Sequence, residues 1–121
     1  MTPEETVDEF VRRVVAKDFD GACELVSADL EYDNVPFGKN HGHEGLTTFL
    51  AGMMGNVDEV QFVTHRQIAS GNTVMNERTD RFRTGDRWID LPVAGLFELD
   101  DAGKIVLWRD YFDMATYTNQ M

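Results

Sequence analysis

Two aspartates and an arginine stand where alternating strands should carry apolar side chains, and that combination can do proton chemistry. In residues 74–82, Val74, Asn76, Arg78, Asp80 and Phe82 share one parity, apolar at both ends and charged between. In residues 106–114, Val106, Trp108, Asp110, Phe112 and Met114 share a parity, which sets Asp110 among aromatic and aliphatic neighbours. Leu30, Tyr32 and Asn34 line up in the same way. Successive side chains of a strand face opposite sides, so three separate strands send polar groups toward one core. A buried carboxylate is costly unless it is paired and hydrogen-bonded, and an arginine beside two aspartates satisfies that demand. Two acids in one pocket push one carboxyl's pKa up, while a guanidinium and donors such as Tyr and Asn hold the other ionised. The implied cluster is Asp80–Arg78–Asp110. The same alternation also fits a plain buried ion pair, or one acid turned to solvent.

The elements that must position these residues follow from the spacing of apolar and turn residues. Thr2, Pro3 and Glu5 form a helix start with a capping-box acid, and Val7, Phe10, Val11, Val14 and Val15 then repeat at helical spacing. A short second helix is expected over 20–26, with Ala22, Cys23, Leu25 and Val26 inward. A strand runs from Leu30 to Val35 and stops at Pro36, and Gly38, Gly42 and Gly45 mark a loop. Leu46, Phe49, Leu50, Met53 and Met54 make the stripe of a third helix. From Val57 the period becomes two, and turn signals at 70–72, 84–86 and 100–103 separate four strands. The order is α+β: a curved, mostly antiparallel sheet covered on its concave face by three N-terminal helices, in a single domain over 1–121.

The chain has 121 residues, with 11 Lys plus Arg against 22 Asp plus Glu. Its net charge of -11 argues against nucleic acid, which is bound through clustered cations, and against an anionic membrane surface. One cysteine allows no intrachain disulfide, and no apolar run approaches the roughly 18 residues of a membrane span, so a cytoplasmic location is expected. Cys23 reads as core, because no acid–base partner accompanies it. His41-Gly42-His43 lacks a settled third metal ligand and reads as loop or helix cap, while His65 has no evident partner. No phosphate loop or dinucleotide fingerprint is present.

Three separated stretches carry a resemblance. Glu31-Tyr32-Asp33-Asn34-Val35-Pro36 is similar to a Tyr-x-Asn-x-Pro strand, and Asn76-Glu77-Arg78-Thr79-Asp80 carries an Arg-x-Asp pair. Residues 91–98, 103–105 and 108–113 resemble two final strands, and the likeness runs from about Val7 to Asp113. Together they resemble the limonene-1,2-epoxide hydrolase family, whose members adopt a cone-shaped α+β fold similar to nuclear transport factor 2 and ketosteroid isomerase. The resemblance implies Asp110 as general base, Tyr32 and Asn34 as further holders of the water, Arg78 as the bridge and Asp80 as general acid. It implies one-step hydrolysis of an epoxide to a diol, with no ester intermediate, metal or cofactor.

Phe37, Phe49, Met53, Met75, Trp88, Leu91, Leu96, Trp108 and Phe112 are expected to line the pocket, which favours a hydrophobic epoxide. Ile89, Val93 and Phe97 are expected on the convex face, where a second copy would cover them in a homodimer. Two other readings use the same cone. One is a ketosteroid-isomerase-like or polyketide-cyclase-like proton shuttle, against which Arg78 argues by keeping its acid ionised; the other is a non-catalytic small-molecule-binding dimer module.

Overall fold

A computed structural model describes residues 1–121. The chain runs α1 (Pro3–Val15), α2 (Phe19–Cys23), β1 (Val26–Asn34), β2 (Gly38–His41), α3 (Gly42–Met54), β3 (Glu59–Ser70), β4 (Thr73–Thr84), β5 (Arg87–Leu99), β6 (Ile105–Tyr111) and α4 (Met114–Thr118). The strands form one sheet in the order β2-β1-β6-β5-β4-β3, antiparallel except where β1 runs parallel to β6.

The N-terminus of α1 is tied by both bonds of a capping box, Glu5 N–H to Thr2 Oγ1 and Thr2 N–H to Glu5 Oε1. Its Val7, Phe10 and Val14 recur at helical spacing and are wholly buried against the concave face. Leu46, Leu50 and Met54 do the same for α3. Phe10 meets Trp108 edge-on at 5.2 Å, so the helix layer packs directly on the strand that carries Asp110. The β3–β4, β4–β5 and β5–β6 turns each contain a glycine at positive φ, Gly71, Gly85 and Gly103. A register shift between Thr64 and Arg66 bends β3 against β4 and deepens the concavity.

Several elements depart from the sequence expectation. Residues 38–41 form a short edge strand on β1, and α3 begins at Gly42 with His41 as its N-cap. The second helix ends at Cys23, which frees Val26 to start β1. A fourth helix, capped by Asp113 Oδ2 on Thr116 N–H, follows β6. At the start of β6 it is Ile105 that is fully buried, with Val106 only half-buried, and the strand ends before Phe112.

The inward face of β5 is the larger correction. Ile89, Val93 and Phe97 lie on the concave side and not the expected convex one, because the register sets Phe82 opposite Ile89, Arg78 opposite Val93 and Val74 opposite Phe97. Met75 and Leu96 are paired on the convex side instead, where Met75 is 48% exposed, so neither lines the pocket. Trp88 also lies on the convex side, its ring under Arg81 at 4.2 Å. Residues 91–97 are apolar at nearly every position, so hydropathy could not tell the two faces of this strand apart.

Candidate active site

The inward face of β4 delivers Asn76, Arg78 and Asp80 in succession, and all three are buried. β6 delivers Trp108 and Asp110, and β1 delivers Tyr32 and Asn34. The register places Asn34 opposite Asp110, Asp110 opposite Gly95 and Gly95 opposite Asn76, so one row crosses four strands with a glycine in its middle. The guanidinium of Arg78 occupies the space that a side chain at 95 would need: a Cβ there would lie 2.7 Å from Asn76 Oδ1 and 3.0 Å from Asp110 Oδ1.

Arg78 spends its donors on three partners. Nε donates to Asp80 Oδ1 and Nη2 to Asp80 Oδ2, both at 3.0 Å, which makes a bidentate pair. Nη2 also donates to Asp110 Oδ2 at 2.8 Å, and Nη1 donates to Asn76 Oδ1 at 2.9 Å. The Phe62 ring lies 5.0 Å from the guanidinium carbon. The second oxygen of Asp110 accepts from the indole of Trp108 at 2.8 Å. Trp108 is itself fixed between Tyr32, stacked at 4.3 Å, and Phe97, stacked at 5.7 Å. From Asn76 the chain of bonds continues outward, Asn76 Nδ2 donating to Gln67 Oε1 and Gln67 Nε2 to Asp8 Oδ1, each at 3.0 Å. Asn34 Nδ2 is buried and bonds no protein atom, which leaves a donor for a guest in the cleft.

Burial acts against the charge of Asp80. Burial, with some help from the charge of Asp110, raises Asp80 to about 6 despite the opposing pull of Arg78. Burial alone would lower the pKa of Arg78, but the two carboxylates outweigh it and hold the guanidinium charged. Burial and the nearby Asp110 raise Tyr32, so its phenol stays neutral. One guanidinium against two carboxylates leaves an excess negative charge in a dry site, which a proton on Asp80 would cancel.

Tyr32, Asn34, Asp80 and Asp110 form the polar side of a narrow cleft of about 20 Å³. Phe37, Met53, Leu91 and Phe112 from the expected lining face it, joined by Phe82, Val93 and Tyr117. Phe49 sits one layer out, edge-on to Tyr32 at 5.3 Å, and Trp108 lies behind the acids as a donor. The five polar residues singled out in the sequence thus converge, while Met75 and Leu96 lie on the other face. The reading missed Gly95, Asn76 as the partner of Arg78, and the hydrogen-bonding role of Trp108. For Trp108 a signal existed, since a buried indole N–H needs an acceptor.

Known proteins of similar sequence and shape identify the family. A curated relative, epoxide hydrolase EphG of Mycobacterium tuberculosis (strain ATCC 25618 / H37Rv), is 40% identical over 109 residues, covering 89% of this chain and 71% of the relative. A solved structure of an M. tuberculosis LEH-like epoxide hydrolase superposes with a TM-score of 0.82 at 36% identity, over 96% of this chain and 86% of that one. A putative SnoaL-like polyketide cyclase from Shewanella denitrificans OS-217 gives a TM-score of 0.86 at 15% identity, over 98% and 95% of the two chains, a likeness of fold alone. The family model described as limonene-1,2-epoxide hydrolase catalytic domain matches residues 1–121, and the chain therefore belongs to the limonene-1,2-epoxide hydrolase family.

Proposed function

We propose that this protein adds water to a hydrophobic epoxide in one step and releases a vicinal diol. The observation that carries the reading is the sharing of Arg78 Nη2 between Asp80 Oδ2 and Asp110 Oδ2, in a buried cleft that also presents Tyr32 and Asn34. Asp110 is the general base. A water held by Asp110, Tyr32 and the free Nδ2 of Asn34 bonds through its oxygen to a ring carbon while Asp110 takes its proton. The ring C–O bond breaks as Asp80 passes its proton to the departing oxygen. Arg78 keeps its charge throughout and fixes both carboxylates. Each proton transfer is worth ~10²–10⁴-fold, and holding the water in line with the ring adds to that.

Turnover leaves Asp110 protonated and Asp80 ionised, and a proton carried back by water resets the pair. No metal or cofactor takes part in this step. The apolar wall of Phe37, Met53, Leu91 and Phe112 suits a hydrophobic substrate. The same reading takes residues 1–121 as one domain that works in the cytoplasm as a homodimer. Met75 and Ile68, exposed side by side on the convex face, support a second copy there.

Single turnover in ¹⁸O-water tests the chemistry. All label is expected in the diol, and label in the Asp80 or Asp110 carboxylate would overturn the one-step reading. Asp110→Asn and Asp80→Asn are each expected to abolish turnover in a folded protein, and activity retained in either removes that residue from its role.

A further inference from the structure

The reaction cleft cannot hold a substrate by itself. Its free space of about 20 Å³ admits roughly one water, whereas an epoxide needs room for its ring and substituents as well. Immediately beside it lies a mostly apolar chamber of about 340 Å³, walled by Val57, Ile89 and Met121 together with Thr84 and Arg87. The two hollows share Met53, Phe82 and Tyr117. Tyr117 and Met53 also border an outer groove with Phe37, whose ring Tyr117 meets edge-on at 6.4 Å, so these two stand where all three spaces meet. Of the three shared residues, Phe82 is fixed in the sheet and Met53 in the long helix α3, while Tyr117 comes from the five-residue α4.

Two side chains, Gln120 and Arg87, tie down the segment that follows α4. Gln120 Nε2 donates to the Asp90 carbonyl and to the Thr116 carbonyl, both at 2.8 Å, and Gln120 Oε1 accepts from Asp90 N–H at 3.0 Å. The Arg87 guanidinium donates to the Gln120 backbone carbonyl. Asp90 lies on the part of β5 that β6 does not reach, since their pairing covers only residues 94–99. Its N–H and C=O there would be an open strand edge, and the Gln120 amide closes it as one residue of an added strand would.

Resting on the hydrolase reading above, we propose that Tyr117 determines which epoxides this protein accepts. Its ring divides one binding site into a reaction cleft and an apolar chamber, Gln120 is the positioning residue that holds it there, and the preferred substrate carries an apolar arm that reaches past it. A chamber of about 340 Å³ takes an arm of about ten carbon-sized groups, at roughly 30 Å³ each. Each methylene moved from water into it is worth about fourfold in kcat/KM or in affinity.

The test is a series of linear 1,2-epoxyalkanes of increasing length, with the corresponding 1-alkanols as non-reacting probes in calorimetry. kcat/KM is expected to climb about fourfold per methylene until the chamber is full. Tyr117→Trp is expected to lower the long-to-short ratio at least tenfold, and Tyr117→Ala to raise the ratio of branched to linear epoxides about tenfold. Gln120→Ala is expected to follow Tyr117→Ala through KM, with kcat held within about twofold. Gln120→Glu, which still accepts from Asp90 N–H but cannot donate to its carbonyl, is expected between Gln120→Ala and the unaltered protein. A length profile that is flat, or that Tyr117→Trp leaves unmoved, overturns the proposal. If no epoxide is turned over, the hydrolase reading falls separately and the alkanols decide. Affinity that rises with length and drops in Tyr117→Trp then supports the divided site, and affinity indifferent to both overturns it.

Discussion

Gly95→Ala is the sharpest probe of how the site is built, because it adds one methyl group at the point where three polar side chains meet. The new Cβ would stand in direct collision with Arg78 Nη1, 2.7 Å from Asn76 Oδ1 and 3.0 Å from Asp110 Oδ1. Ordinary contact needs about 3.5 Å, so the guanidinium must retreat by about 1 Å. It has no slack to do so, since its bonds to Asn76, Asp80 and Asp110 already lie at 2.8–3.0 Å. Overpacking costs about 1–3 kcal/mol and a lost hydrogen bond to a charged group about 1.5–3 kcal/mol, against a gain of about 0.4–1 kcal/mol from the stiffer unfolded chain. The net loss is about 3 kcal/mol, or roughly a 10 °C fall in Tm for a domain of this size. A misplacement of about 1 Å at the reacting groups costs ~10²-fold in rate. Thermal unfolding and kcat/KM on one epoxide measure both effects. Gly52→Ala provides the contrast, because nothing lies within 4 Å of a Cβ there and alanine in a helix is expected to stabilise by up to about 1 kcal/mol. A Gly95→Ala protein with unchanged Tm and rate would refute the claim that the guanidinium needs this gap.

The elevated Asp80 sets two further outcomes. The proposed role of general acid requires a protonated Asp80, so kcat/KM is expected to fall with rising pH above about 6. The folded state keeps this proton up to about pH 6 while the unfolded chain releases it near 3.8. Folding stability from this group therefore falls as pH rises through that window, and denaturant titrations are expected to show a flatter profile in Asp80→Asn. Trp108→Phe keeps the ring between Tyr32 and Phe97 but removes the donor to Asp110 Oδ1, and kcat is expected to fall roughly 10–100-fold with the fold retained.

How much of this was legible in the sequence depended on contrast between the two faces of each strand. In β4 the inward positions are Val, Asn, Arg, Asp and Phe, with apolar residues at both ends, and the outward ones are mostly polar, so the unusual inward charges stood out. Tyr32, Asn34 and Asp110 were legible for the same reason. β5 offers no contrast over residues 91–97, and the expected faces of Val93, Phe97 and Leu96 came out reversed. Three glycines hid the short β2, and α4 has too few residues for an apolar stripe to form. Gly95 could not be recognised from its own strand, because the need for an empty position exists only once β4, β5 and β6 lie side by side.

That dependence on register explains why so small a core holds this chemistry. Stability alone would not select the cluster, since a buried ion pair is often no better than well-packed apolar residues of the same volume. Its parts make sense together as a holder for two buried acids. Asp80 is gripped at both oxygens by one guanidinium and sits raised, while Asp110 is held by Arg78 on one oxygen and by Trp108 on the other. Two buried acids require a cation between them, the cation requires a missing side chain beneath it, and the missing side chain must come from the strand between the two that carry the acids. β5 is that strand, and glycine is the residue that leaves the space.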